Sequence, residues 1–317
     1  MEYSPTISVI TPSLNAGQTI DETLWSAKAQ EVTPTEHLLI DAGSCDGTLG
    51  IAEKHAHLTV VSEPDQGIYD GMNKGARAAS GEWLLFLQGD DWLPEGALAA
   101  YRTAILMHPD AEIFCGDAEA VKVSESGRSL VWAVRDSESK KLTFQNIALG
   151  EPMINARLIR RDVFLGLGGF SLDYTLASDR EFLLRAVTAG IRQVELPVLT
   201  YRYRWHSGSS TMTEGNSLTA RLSEENLSIA RKYLAQTQGD EVLIFKKWHS
   251  RLLLQMAMNA LESPGMKGLL TAAREGIEVD QLWPFRFIAE ILRSLPGFLM
   301  RRGRTRSHIL ERGNQSD

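Results

Sequence analysis

Cysteine is scarce in this 317-residue chain, which holds only Cys45 and Cys115. Two such thiols cannot build a disulfide framework and fit no zinc spacing, so a reducing, cytoplasmic setting is expected. Basic residues are in deficit: 33 Lys and Arg face 40 Asp and Glu, a net charge of −7. That sign excludes a surface given over to nucleic acid, and no nucleic-acid partner is expected. No run approaches the ~20 apolar residues that cross a bilayer. Residues 1–5 are polar and precede only a short apolar run, so no signal peptide is expected. Internal repeats and low-complexity linkers are missing. So are the usual nucleotide signatures. No Gly-x-Gly-x-x-Gly follows the first strand, which disfavours a dehydrogenase-type fold, and Asn73-Lys74-Gly75 lacks the surroundings of a phosphate loop.

What is present is a globular mix, 43% hydrophobic and 23% charged, with enough apolar surface for a packed core. The first half alternates between strand and helix periods. Strands are expected at 6–11, 36–41, 58–61, 82–87 and 112–116. Helices are expected after the first strand, with Ile20, Leu24 and Ala27 on one face, at 48–57, at 68–79 and from Pro94 to about 107, where proline suits a first turn. Such alternation implies a mostly parallel sheet flanked by helices, an α/β fold. A hairpin follows (118–123 with 128–134), then a helix over 178–189 and two short strands around Pro197, the second over 198–205. From about 217 the pattern is helical. The expected organisation is a catalytic domain over 1–215 and a helical C-terminal region over 216–317.

In an open parallel sheet, ligands bind beyond the carboxyl ends of the strands. Those ends deliver Thr11-Pro12-Ser13-Leu14-Asn15, then Asp41 with the turn through Asp46, then Gln88-Gly89-Asp90-Asp91. Each alone reads as a helix cap or a turn; three together read as a site. Acids repel phosphates directly, but a divalent cation takes carboxylate and phosphate oxygens together.

Four motifs in order resemble family 2 glycosyltransferases: residues 7–15; Ile40-Asp41-Ala42-Gly43-Ser44-Cys45-Asp46-Gly47-Thr48; residues 63–75; and Ala79-Ser80-Gly81-Glu82-Trp83. The resemblance spans about residues 5–210. It implies a GT-A-like fold with a helical C-terminal extension. It also implies sugar transfer from a nucleotide diphosphate, usually with inversion, to a glycan or lipid-linked acceptor in cell-surface polysaccharide synthesis. By the same resemblance Thr11, Pro12, Asn15 and Asp41 cradle the nucleoside, with Asp41 accepting from a base N–H and so favouring uracil. Ser44 and Asp46 flank that pocket, although Asp46 equally suits a cap for the helix at Thr48. Asp65 and Lys74 fall in the diphosphate- and sugar-contacting segment, where Lys74 either neutralises phosphate or is an exposed helix lysine.

Gln88-Gly89-Asp90 stands where the family has Asp-x-Asp. The departure leaves Asp90 as the metal ligand, beside Asp91, for a divalent cofactor (Mn²⁺ or Mg²⁺), and Gln88 free to meet the donor sugar. It also keeps open a degenerate module that binds sugar nucleotides without transferring sugar. Asp179 in Ser178-Asp179-Arg180-Glu181 occupies the position of the general base; its structural alternative is a residue favouring a helix N-terminus. Arg204 and His206 begin a donor-rich loop, as phosphate clamp and as metal or phosphate ligand, with a plain surface role for His206 equally open. Trp83, Trp92 and Trp205 divide between core and acceptor platform.

Between 283 and 312, seven arginines face two glutamates, a local charge of +5 interleaved with Trp283, Phe285, Phe287, Ile291 and Leu292. A basic, aromatic-rich helix of this kind lies at anionic membrane surfaces, here the inner face of the cell membrane. Packing on the catalytic domain is the alternative.

Overall fold

The computed structural model describes residues 3–124, 127–206, 216–262 and 267–289. In chain order the first elements are β1 (Ile7–Ser13), α1 (Ile20–Lys28), β2 (Glu36–Asp41), α2 (Thr48–Ala52), β3 (Leu58–Ser62), α3 (Ile68–Ala78), β4 (Trp83–Phe86) and α4 (Ala97–Met107). Then come β5 (Ile113–Ser124), β6 (Gly127–Val134), α5 (Ser137–Lys140), α6 (Phe144–Leu149), β7 (Arg157–Arg160), α7 (Arg161–Gly166), α8 (Ser178–Thr188) and β8 (Gln193–Trp205). Helices α9 (Asn216–Gln236), α10 (Glu241–Glu262) and α11 (Lys267–Val279) close the described chain.

The strands form one mixed sheet in the order β3-β2-β1-β4-β7-β5-β6, with β8 on the other edge of β5. β3, β2, β1 and β4 are parallel, whereas β7 is antiparallel to both its neighbours. Alternation along β1 assigns its faces. Ile7 and Val9 join Leu98 and Tyr101 of α4 in the larger core cluster. Ile10 faces α3, where Gly75 lies so close that a Cβ would stand 2.3 Å from Ile10 Cγ2. Gly75 therefore serves helix–sheet contact, not phosphate binding. On that same side Phe86, Phe164, Phe170 and Phe182 pack as a ring cluster with centroids 5.0–5.4 Å apart.

Several elements differ from the sequence expectation. α2 stops at Ala52, not near 57, and α4 starts at Ala97 because Pro94 to Ala97 makes a turn (Ala97 N–H to Pro94 O, 3.3 Å). The strand expected at 112–116 runs on through Ser124, merging with the first arm of the hairpin. The two strands around Pro197 are one strand, β8, whose register on β5 shifts on either side of Asp117. Proline is tolerated at such an irregularity because a ladder donor is not required there. Gly116 faces the shift, where a Cβ would meet Thr200 Oγ1 at 2.1 Å.

The chain divides into two compact units, Met1–Glu225 and Asn226–Asp317. The division falls within α9, later than 215, because Glu225 belongs to the first unit. Its carboxylate accepts N–H bonds from Thr175, Leu176 and Ala177 at 2.8–3.0 Å. In the second unit Tyr233 stacks on Phe245, Trp283 packs against Gly276, and Glu275 binds both Arg231 and His249. None of the described helices is long and apolar enough to cross a membrane. Most of the basic stretch expected at a membrane surface (residues 290–312) lies outside the described residues, as do Ser207 to Ser210.

Candidate active site

Two loops beyond β1 and β2 are laced together at the carboxyl edge of the sheet. Asn15, in the left-handed region at φ 52°, donates its N–H to Ser44 Oγ (2.8 Å) and accepts from Cys45 N–H (2.9 Å). Asp46 accepts from Gly17 N–H (2.8 Å) with one oxygen and from the Thr48 N–H and hydroxyl with the other. It thus caps the α2 turn and faces a cavity as well. Asp41 accepts from Gly43 N–H, Ser44 N–H, Ser44 Oγ and Ser62 Oγ. Burial works to raise its pKa, but these donors, Ser44 foremost, hold it below the ordinary carboxylate value.

The loop after β4 is fastened to β8. Trp92 and Arg202 bridge by two backbone bonds of 3.1 Å. Asp91 turns inward, accepting from Tyr201 Oη and from Arg204 N–H, both at 2.7 Å. Burial first, and the Asp90 charge second, push its carboxyl well above the ordinary value. The Arg204 guanidinium donates to Asp90 O (2.8 Å) and to Glu22, and lies over the Trp92 ring at 5.0 Å. This clamp orients the end of β8 so that His206 Nε2 meets Asp90 Oδ2 at 2.8 Å.

These elements enclose a cavity of about 840 Å³. Of the residues expected from sequence, Pro12, Asn15, Asp46, Asp65, Gln88, Asp90, Arg204 and His206 line it. Five expected donor contacts do not. Thr11 is buried against His37 (2.8 Å), Asp41 and Ser44 are spent on their own loop, and Asp91 is engaged by β8. Lys74 pairs with Glu63 and donates to Pro64 O, since three neighbouring acceptors draw it away.

Three carboxylates in this wall would repel a diphosphate unless a cation intervened. Asp90 and His206 supply one oxygen and one nitrogen donor, a set that suits Mn²⁺. Among the described residues no group of three or more such side chains gathers to hold a metal. The pair therefore fits a divalent ion only if ligand oxygens complete the shell, which is how nucleotide-bound ions are commonly held.

A second cavity of about 760 Å³ shares Ile68, Gln88 and Trp205 with the first, and Asp179 lines it. Asp179 stands in the first turn of α8 and accepts from Arg180 N–H at 2.7 Å. Burial pushes its carboxyl above the usual value, opposed by Arg180 and by Tyr69, whose hydroxyl donates to Leu176 O at 3.2 Å. Arg180 donates to Ala148 O and Gly150 O, capping the end of α6. Tyr69, Tyr201 and Asn155 were not singled out by sequence reasoning. The period-two run Tyr201, Tyr203, Trp205 was a readable signal for one of them; for Tyr69 and Asn155 we see none. Trp83 and Trp92 prove to be core residues, and Trp205 lines both cavities.

The family described as "Glycosyl transferase family 2" matches residues 8–167, half of the chain. A PGL/p-HBAD biosynthesis glycosyltransferase of Mycobacterium bovis is 32% identical over 206 residues, covering 63% of this chain and 74% of that protein. The chain belongs to glycosyl transferase family 2, and it is a glycosyltransferase. Its fold is that of S. aureus TarS: TM-score 0.64 and 21% identity to the 1–349 fragment solved with UDP-GlcNAc, over 86% of this chain and 81% of that one. Against the longer TarS chain the match spans 49% of that protein's length. The mannosyltransferase PcManGT of Pyrobaculum calidifontis, solved with GDP-Man and Mn²⁺, gives TM-score 0.56 at 19% identity, over 92% of this chain and 88% of that one.

Proposed function

We propose that this glycosyltransferase takes its sugar from a UDP-sugar and inverts the anomeric centre, with Asp179 as general base. The observation that carries the reading is the junction of the two cavities, with Asp90 and His206 in one, Asp179 in the other, and Gln88 between them. The nucleotide lies along Pro12, Asn15 and Asp46, and the diphosphate points toward Asp90 and His206. A divalent ion on that pair would neutralise charge as the diphosphate leaves. Gln88 meets the donor sugar at the junction. Asp179, its carboxyl raised by burial, takes the proton of the acceptor hydroxyl as that oxygen attacks the anomeric carbon. The bond to the diphosphate breaks on the opposite face, and its electron pair leaves with UDP. The UDP-GlcNAc and GDP-Man complexes of TarS and PcManGT support a nucleotide-sugar donor, with uridine favoured by TarS.

The acceptor is a glycan or lipid-linked hydroxyl of cell-surface polysaccharide synthesis, and the protein works at the inner face of the membrane. Exposed Leu282, Phe285 and Ile288, just ahead of the Arg-rich stretch, support the surface attachment. Liposome flotation of the full chain against one ending at Gln281 tests it; equal recovery of the two removes the membrane role from that stretch. The reaction itself is tested by scoring nucleoside diphosphate released from a panel of UDP-, GDP- and TDP-sugars with mixed acceptors. Release above the hydrolysis background, abolished in Asp179→Asn, is expected. UDP binding with no release from any donor would instead support the binding module that Gln88 keeps in view.

A further inference from the structure

Asp179 follows Ala177, the N-cap residue of α8, and alanine has no side-chain acceptor with which to cap a helix. The missing carboxylate comes from α9. Glu225, its side chain 12% exposed, accepts from the N–H groups of Thr175 (3.0 Å), Leu176 (2.8 Å) and Ala177 (3.0 Å) and from the Thr175 hydroxyl (2.7 Å). Three successive backbone N–H groups aimed at one carboxylate form an anion nest at the positive end of the helix. Burial acts to raise the Glu225 pKa, but these donors, the Thr175 hydroxyl foremost, hold it below the ordinary carboxylate value. The rest of the segment between α7 and α8 is fastened from α3 and α8. Asn73 pairs with the N–H (2.9 Å) and the carbonyl (2.8 Å) of Phe170, and Ser178 Oγ donates to Ser171 O (2.7 Å). Leu176 is held twice, at its carbonyl by the Tyr69 hydroxyl of α3 (3.2 Å) and at its N–H by Glu225 of α9. Leu176, with Thr219 and Leu222 earlier on α9, lines the same cavity as Asp179.

We infer that Glu225 is a positioning residue of the transfer reaction: it fixes the backbone that delivers Asp179 to the acceptor hydroxyl. It acts through residues 175–177 and not on either substrate. A misplacement of about 1 Å at a reacting group costs about 10²-fold in rate. Loss of Glu225 takes the acceptor from three N–H groups in an irregular segment that ends beside that base. The inference rests on the proposed role of Asp179 and adds the residue that places it.

Glu225→Ala and Glu225→Gln in the full chain, beside Asp179→Asn, test it. Hydrogen exchange reads the segment without turnover: amides 175–177 are expected to exchange at least about tenfold faster in Glu225→Ala, with β1 unchanged. With the donor and acceptor that release UDP in the panel above, Glu225→Ala is expected to lower kcat about 10- to 100-fold, with UDP affinity and donor KM within about twofold. Glu225→Gln, whose amide oxygen still accepts, should lie between Ala and parent. The acid limb of kcat/KM should move to lower pH in Glu225→Ala, because a negative charge is gone and water reaches a carboxyl that burial holds up. Tyr69, Arg180, Glu151 and Tyr203 still surround that carboxyl. A general loss of stability would move neither the limb nor the split between kcat and KM. Parental exchange at 175–177, a parental kcat or a parental acid limb in Glu225→Ala, with Asp179→Asn inactive, overturns the positioning role alone. Turnover kept by Asp179→Asn, or no release by the parent from any pair, removes the base reading and this inference with it.

Discussion

His206 Nε2 lies 2.8 Å from Asp90 Oδ2, although 116 residues of chain separate them. The contact joins the end of β8 to the turn after β4, and both side chains face the donor cavity. Asp90→Asn or His206→Ala is expected to weaken Mn²⁺-dependent UDP binding about 10- to 100-fold, the effect of losing one charge-assisted contact. The double variant should lose little more than either single one. Calorimetry with Mn²⁺ and with EDTA checks this: in EDTA all forms should bind UDP equally weakly.

With Asp179 as the proposed general base, its protonation is expected to set the acid limb of the rate profile. Its raised pKa means that it protonates at a higher pH than an ordinary carboxyl, so turnover falls on acidification earlier than for an exposed aspartate. Tyr69, whose hydroxyl donates to Leu176 O at 3.2 Å, opposes that rise, and Tyr69→Phe is expected to move the acid limb of kcat/KM to higher pH. Asp179→Asn should lower kcat by about 10²–10⁴ while UDP affinity stays within twofold or so. A Tyr69→Phe profile that coincides with the parent contradicts the pairing.

Asp91 acts through position, not through contact with the donor. Asp91→Ala removes the acceptor of the Tyr201 hydroxyl proton and of the Arg204 N–H, although Tyr201 Oη still accepts from Gln88 N–H, a loss of about 1–3 kcal/mol. Because burial and the Asp90 charge favour its neutral form, Asp91→Asn should stay closer to the parent in stability. Thermal melts rank the three: parent, then Asn, then Ala.

Acid stability depends on His37, which is buried beside His57 and His55 and whose pKa is lowered to about 3 by burial and by those two rings. The unfolded chain binds a proton at this position below about pH 6.5, and the folded chain does not until about pH 3. The unfolded state therefore gains protons as pH falls through that window, and stability is lost by up to about 1.4 kcal/mol per pH unit. Urea titrations at pH 7, 6 and 5 should show the decline, and His37→Gln should reduce its slope.

Much of the sheet was legible because β1, β2 and β4 are short, apolar and bounded by polar turns. The strands whose limits were misjudged are those where tertiary contact overrides local signals. β7 hides because two of its four residues are arginines, one of them fully buried by bonds to backbone carbonyls. β8 passes through Pro197 only because Gly116 gives room for the shifted register. Asp46, Asp90 and His206, expected from strand ends, and Asp65, expected from the family resemblance, all line the first cavity. Thr11, Asp41, Ser44, Lys74 and Asp91 do not line that cavity, because a sequence shows which residues carry polar atoms, not which hydrogen bonds already occupy them.

The most direct test is anomalous scattering from crystals grown with UDP and Mn²⁺. The expected density is one Mn²⁺ bonded to Asp90, His206 and the diphosphate, with the uridine along Pro12 and Asn15. A diphosphate bound away from Asp90, with the metal elsewhere, would contradict it.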